Sequence, residues 1–117
     1  MKITNSRELT IPVGKIAEAE KWLSKGADLW KEVTGKDAVI YKEGWGDQYK
    51  MLFVTTYDSI GETEEVGEKA MADERIVDWI LEGNKHNQYV SGAVDRFFTT
   101  IKDLSLIHIS EPTRPLD

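Results

Sequence analysis

There is no cysteine among the 117 residues. That absence removes disulfides, thiolate-bound metals, iron–sulfur clusters and cysteine nucleophiles together, and it fits a reducing compartment. Histidine is nearly as scarce, with two residues, and proline contributes three. No apolar run approaches the length that spans a bilayer, and the opening stretch 1–8 does not read as a secretory leader. Basic charge is also short: 15 lysines and arginines against 21 aspartates and glutamates leave a net charge of −6. Phosphate backbones are gripped by basic stripes, so neither nucleic acid nor an anionic membrane is an expected partner. No glycine-rich phosphate cradle follows a strand, no carboxylate pair is set for acid–base work, and no histidine–carboxylate cluster has metal spacing. The expectation is one soluble, cytoplasmic domain that uses neither metal nor cofactor.

What is present is organised around residues 49–58, the densest run of strand formers. Met51, Phe53 and Tyr57 alternate with Leu52 and Val54, so both faces of this strand are apolar and both need cover. Residues 3–11 alternate as well, with Ile3, Asn5, Arg7, Leu9 and Ile11 on one face, and Pro12 ends the strand. From 13 to 34, Ile16, Ala19, Leu23, Ala27, Trp30 and Val33 draw a helical stripe flanked by Trp22 and Leu29, and Gly35 closes it. Residues 37–45 predict a strand with Val39, Tyr41 and Trp45 on one face and Ala38 and Ile40 on the other. The glycines of 44–47 turn it into the central strand.

Asp58 or Ser59 can cap a second helix, with Glu62 placed for a capping box. Residues 72–74 predict a break and re-cap, after which Ile76, Val77, Trp79, Ile80 and Leu81 continue the apolar helical pattern to Gly83. Residues 93–101 supply the last strand. The order βαββαβ is an α+β, ferredoxin-like arrangement: a four-stranded antiparallel sheet with two helices on one face. A second copy of the chain is the expected cover for the other face.

This organisation resembles the dimeric α/β-barrel superfamily across residues 2–102. The resemblance rests on the element order, on Ile11-Pro12-Val13-Gly14 leading into the first helix, and on the run from Phe53 to Ser59 entering an acidic helix that breaks at Ala72-Asp73-Glu74. It implies a homodimer formed through the sheet face, with a small apolar organic ligand held between sheet and helices. Antibiotic-biosynthesis-type monooxygenases that need no cofactor, stress-responsive barrel proteins and haem-degrading monooxygenases share this organisation. It therefore admits a cofactor-independent monooxygenase, a non-catalytic structural or interaction domain, or a haem-binding enzyme.

Asn5 and Arg7 on an otherwise apolar strand face are the most informative pair, because buried polar groups must find partners. In a site, Arg7 would orient an anionic or carbonyl group and stabilise an enolate or phenolate, while Asn5 would offer a neutral donor and acceptor. On an edge strand both would simply be solvated. Haem-degrading relatives use a first-strand asparagine followed by a tryptophan and a histidine on the second helix; Asn5, Trp79 and His86 occur here in that order. Gly83-Asn84 interrupts the phase between the latter two, and His86 lies in a polar stretch that also reads as exposed connector. Tyr41, Trp45, Tyr57 and Trp79 are candidate ligand-lining aromatics, although such residues also build cores and interfaces.

Residues 104–114 are set aside. Their string, Leu-Ser-Leu-Ile-His-Ile-Ser-Glu-Pro-Thr-Arg, resembles a translated transposase sequencing adapter. Residues 1–103 are accordingly taken as the domain and 104–117 as a non-native tail. His108 then carries no functional weight, and the natural C-terminus is expected to be missing.

Overall fold

The computed structural model describes residues 2–44 and 49–102. The elements follow the order β1 (Ile3–Thr10), α1 (Ile16–Thr34), β2 (Ala38–Lys42), β3 (Lys50–Tyr57), α2 (Ile60–Met71), α3 (Glu74–Asn84), a short 3-10 turn (Lys85–Asn87) and β4 (Gly92–Thr99). The sheet order is β2-β3-β1-β4, and each neighbouring pair is antiparallel. This is the ferredoxin-like arrangement, with β3 and β1 at its centre.

The helical region after β3 is two helices where the sequence pattern suggested one continuing after a break. Ser59 caps α2 by accepting from the Glu62 N–H at 3.1 Å, and Glu62 reaches back to the Asp58 N–H at 2.8 Å. At the junction the Asp73 side chain accepts from the Arg75 N–H at 2.9 Å, which starts α3 as a new helix. Gly35 ends α1 in the left-handed conformation, φ 78°, and its N–H bonds the Lys31 carbonyl at 2.8 Å.

The helices lie on the sheet face that carries Leu9, Met51 and Phe53, and with Ile11, Ala19, Trp22, Leu23, Trp79 and Val90 these residues form the core. Trp22, which the periodicity placed on the flank of the α1 stripe, is among its buried residues. The helical layer stops short of β4: Phe97 shares this face yet is 62% exposed. The opposite sheet face is open. Val39, Tyr41, Val94 and Phe98 are exposed there beside the half-buried Leu52 and Val54, so β3 is apolar on both faces and covered on one. Glu8 sits in the middle of that open face, paired with Arg96 at 3.0 Å and Lys50 at 3.4 Å. Among the described residues no helix is long and apolar enough to cross a membrane.

Candidate functional site

Between the sheet and the helices lies a cavity of about 100 Å³. Its sheet side is built from alternate residues of the two central strands, Asn5, Arg7 and Leu9 from β1 and Phe53, Thr55 and Tyr57 from β3. Trp22 and Trp30 of α1, Trp79, Ile80 and Asn84 of α3, and Val90 close the other side. Strand alternation places Asn5 and Arg7 on this face, as their spacing from Ile3 and Leu9 predicts.

The helical wall is held by a reciprocal clasp. Trp22 Nε1 donates to the Trp79 carbonyl at 2.9 Å, and Trp79 Nε1 donates to the Trp22 carbonyl at 2.8 Å. The two indoles stack at 4.5 Å between ring centroids, 19° from parallel. Each ring lies over a glycine of the other helix: a Cβ on Gly26 would overlap the Trp79 ring, and a Cβ on Gly83 would overlap the Trp22 ring. Since each glycine follows its own helix's tryptophan by four residues, the same Trp-x-x-x-Gly pattern on α1 and α3 produces both halves of the clasp. The repeated pattern was available in the sequence as a signal. One chemical consequence is that Trp79, a predicted ligand residue, offers the cavity its ring and not its N–H.

Arg7 is not the free cation that its position in β1 suggested. Asp95 of β4 lies opposite it in register. The guanidinium and carboxylate make a two-pronged pair, Nε to Oδ1 at 2.8 Å and Nη2 to Oδ2 at 2.9 Å. The hydrogen bond to Asp95 raises the Arg7 pKa further, and the same bond holds the Asp95 carboxyl below the usual carboxylate range. Asn5 Nδ2 donates to the Arg96 carbonyl at 3.3 Å, and a hydrogen bond from Asn5 also helps hold the Asp95 carboxyl down. Burial is the main cause that pushes the Tyr57 phenol upward, so its hydroxyl stays protonated near neutrality. None of these groups is poised to take a proton near neutral pH.

Thr55 and Asn84, two further polar lining residues, were not singled out from sequence. Thr55 is only 2% exposed and sits opposite Asn5 in the β1–β3 register. Asn84 ties its amide nitrogen to the Ile80 carbonyl at 2.7 Å. Trp30 packs edge-on against Phe53, 84° between planes, and its Nε1 is buried without a hydrogen-bond partner.

The remaining sequence candidates do not join this cluster. Tyr41 lies on the open sheet face, 53% exposed. His86 is exposed in the 3-10 turn with φ 55°, beyond the point at which Lys85 leaves helical geometry, so it does not meet Asn5 and Trp79 at the cavity. Trp45 and the adapter-like segment lie outside the described residues. Among the described residues no three His, Cys, Asp or Glu side chains converge in a way that would hold a metal ion.

No family model and no curated protein matches the sequence. Solved structures do match in fold. A NIPSNAP family protein from Agrobacterium tumefaciens aligns with TM-score 0.71 at 17% identity, over 85% of this chain and 92% of that one. A variant of SnoaB, a cofactor-independent oxygenase from Streptomyces nogalater, aligns with TM-score 0.66 at 12% identity, over 88% of this chain and 96% of that one. A putative antibiotic biosynthesis monooxygenase from Nitrosomonas europaea aligns with TM-score 0.64 at 7% identity, over 86% and 90% of the two chains. These neighbours bear out the resemblance to the dimeric α/β-barrel superfamily at the level of fold, and at such identities the likeness extends no further.

Proposed function

We propose that this protein is a small-molecule-binding domain that works as a homodimer, with its ligand between sheet and helices and its second copy on the open sheet face. The observation that carries the binding half is the cavity itself. Five aromatic side chains, Trp22, Trp30, Phe53, Tyr57 and Trp79, line it together with Asn5, Arg7 and Thr55. An apolar enclosure with a few fixed polar groups is the usual form of a small-molecule site. The dimer half is supported by the uncovered apolar surface of Val39, Tyr41, Leu52, Val54, Val94 and Phe98, which a second copy of the same face would remove from water.

Cofactor-independent oxygenation is a second reading, favoured by the fold shared with an oxygenase of that description. In it the electrons that reduce oxygen come from the bound molecule, and the protein's part is orientation through Asn5, Tyr57 and the unused Nη1 of Arg7. Because the described cavity residues include no base poised near neutrality, turnover would be confined to molecules that ionise readily on their own.

A native mass spectrum of the purified chain tests the main proposal in one measurement. A dimer carrying a retained small mass is the expected result. A clean monomer would remove the dimer. Oxygen uptake with an easily oxidised phenol, unchanged on adding the protein, would remove the oxygenase reading and leave binding in place.

A further inference from the structure

We infer that Asp95 sets the charge selectivity of the cavity: by holding the Arg7 guanidinium in a two-pronged pair, it turns a site built to take a carboxylate into one that takes an uncharged ligand. The inference rests on the cavity being a ligand site and adds to it the residue that decides which charge the ligand carries.

Arg7 is the one charged side chain among the lining residues, and Asp95 is not a lining residue. Asp95 therefore acts on the cavity through Arg7. An unpaired guanidinium beside the apolar walls of Trp22, Phe53 and Trp79 would be a carboxylate receptor, because its planar fork matches two oxygens at once. The edge of the fork formed by Nε and Nη2 is the edge that Asp95 occupies, at 2.8 and 2.9 Å. A ligand carboxylate would have to displace Asp95 and leave it unpaired, or approach a guanidinium whose attraction Asp95 already cancels. An uncharged ligand faces neither cost.

The fold makes Asp95 hard to replace in this role. Arg7 and Asp95 face each other in the β1–β4 register, and the neighbouring β4 positions on the same sheet face are Ala93, opposite Leu9, and Phe97, opposite Asn5. Neither carries charge. Arg96 belongs to the other face, where it is paired with Glu8 at 3.0 Å. Asn5 fixes Asp95 from a second side, through a hydrogen bond to its carboxylate. The Arg7 charge is nevertheless felt at the cavity: burial pushes the phenol of Tyr57, another lining residue, upward, and Arg7 opposes that push.

The test compares acetamide with acetate, which are alike in shape and differ in charge. Both are smaller than benzene, as a space of about 100 Å³ requires when ~150 Å³ is what holds that ring. The full chain is titrated with each at neutral pH and fixed ionic strength, and binding is read from the nuclear magnetic resonance shifts of Leu9 and Thr55. The parent is expected to bind acetamide at least as tightly as acetate. Asp95→Asn, which keeps the size of the side chain and removes its charge, should tighten acetate about tenfold and leave acetamide within about twofold. A merely structural role for Asp95 would move both probes together. Adding Arg7→Gln to Asp95→Asn should abolish the acetate gain. A parent that prefers acetate, an Asp95→Asn protein with an unchanged acetate-to-acetamide ratio, or a gain that survives Arg7→Gln overturns the inference while the cavity remains a ligand site. Should the variants not fold, the parent's preference between the probes decides alone. Failure of both probes to shift Leu9 and Thr55 in parent and variant alike overturns the ligand site itself and the inference with it.

Discussion

Replacing Gly26 by alanine should destabilise this protein, against the ordinary expectation for a helix. In an open helical position glycine to alanine gains ~1 kcal/mol, because alanine loses less backbone freedom on folding. At Gly26 the added Cβ coincides with the Trp79 ring, and at Gly83 with the Trp22 ring. Neither ring can step aside cheaply, because each is held by an N–H···O=C bond and by the stack. Relief requires either spreading α1 from α3 or expelling an indole. Spreading forfeits two hydrogen bonds at ~1 kcal/mol each and a stacking term of ~0.5–1.5 kcal/mol. Keeping the helices in place instead costs ~1–3 kcal/mol in overpacking. After subtracting the propensity gain of ~1 kcal/mol, spreading nets ~1.5–2.5 kcal/mol and overpacking at the upper end of its range nets ~2 kcal/mol, so the net loss is ~1.5–2.5 kcal/mol, a fall in melting temperature of roughly 6–20 °C for a domain of this size. Gly67 of α2 is the internal control, since a Cβ there meets no atom within 4 Å. Gly67→Ala should gain up to ~1 kcal/mol. Urea unfolding followed by far- and near-ultraviolet circular dichroism reads both the stability and the coupled signal of the stacked indoles. In a double-mutant cycle, Gly26→Ala with Trp79→Leu should cost at least ~1 kcal/mol less than the two changes summed. A Gly26→Ala protein as stable as the parent, with its near-ultraviolet signal intact, would refute the clasp.

Other expectations follow from the same contacts. Val54→Asp places a carboxylate in the middle of the open apolar face, and sedimentation velocity should then show a folded monomer; a persistent dimer would locate the interface elsewhere. Asp95 has its pKa lowered by Arg7, so its contribution is present above the unfolded carboxylate pKa and is lost as pH falls through the lower folded value. Both side chains are more than a third exposed, which limits that contribution to less than ~1 kcal/mol. Asp95→Asn should therefore shift the urea midpoint slightly at neutral pH, by an amount that shrinks on acidification. Burial raises the Tyr57 pKa, so an absorbance titration should find a tyrosine ionising above the ordinary tyrosine range, with stability falling as pH climbs past that range. Its loss in Tyr57→Phe assigns it. His86→Ala should leave ligand affinity and stability unchanged, since His86 is exposed and lies away from the cavity; a lower affinity in that variant would bring the turn into the site.

The elements were legible because each depends on near neighbours in the chain. Alternation in β1 and β3, Gly35 closing α1 and Ser59 with Glu62 opening α2 are all decided within a few residues. The count of helices was less so. Residues 72–74 read as a break, but only the Asp73 side chain bonding the Arg75 N–H makes α3 a separate helix. Tyr41 shows a different limit. Both faces of β2 are apolar, so the pattern separates Val39 and Tyr41 from Ala38 and Ile40 without saying which pair meets the helices.

The site was less legible than the fold for a reason that Arg7 makes concrete. Alternation alone puts its guanidinium on the helix-facing side of β1, and local reasoning then assigns it to an anionic ligand. Whether the charge is free is settled by Asp95, 88 positions later, through the register in which β4 pairs with β1. A slip of that register by one residue would turn Asp95 to the open face and present Arg96 or Val94 in its place, leaving the same β1 sequence with a cationic cavity. The same dependence governs the tryptophans. Trp79 is a candidate ligand-lining aromatic by its place in the helical pattern, and only the packing of α1 beside α3 shows that its N–H is taken by the Trp22 carbonyl and that it offers the cavity its ring. Local pattern thus put Asn5, Arg7, Tyr57 and Trp79 at the cavity, while long-range pairing determined which of their charges and donors remain free.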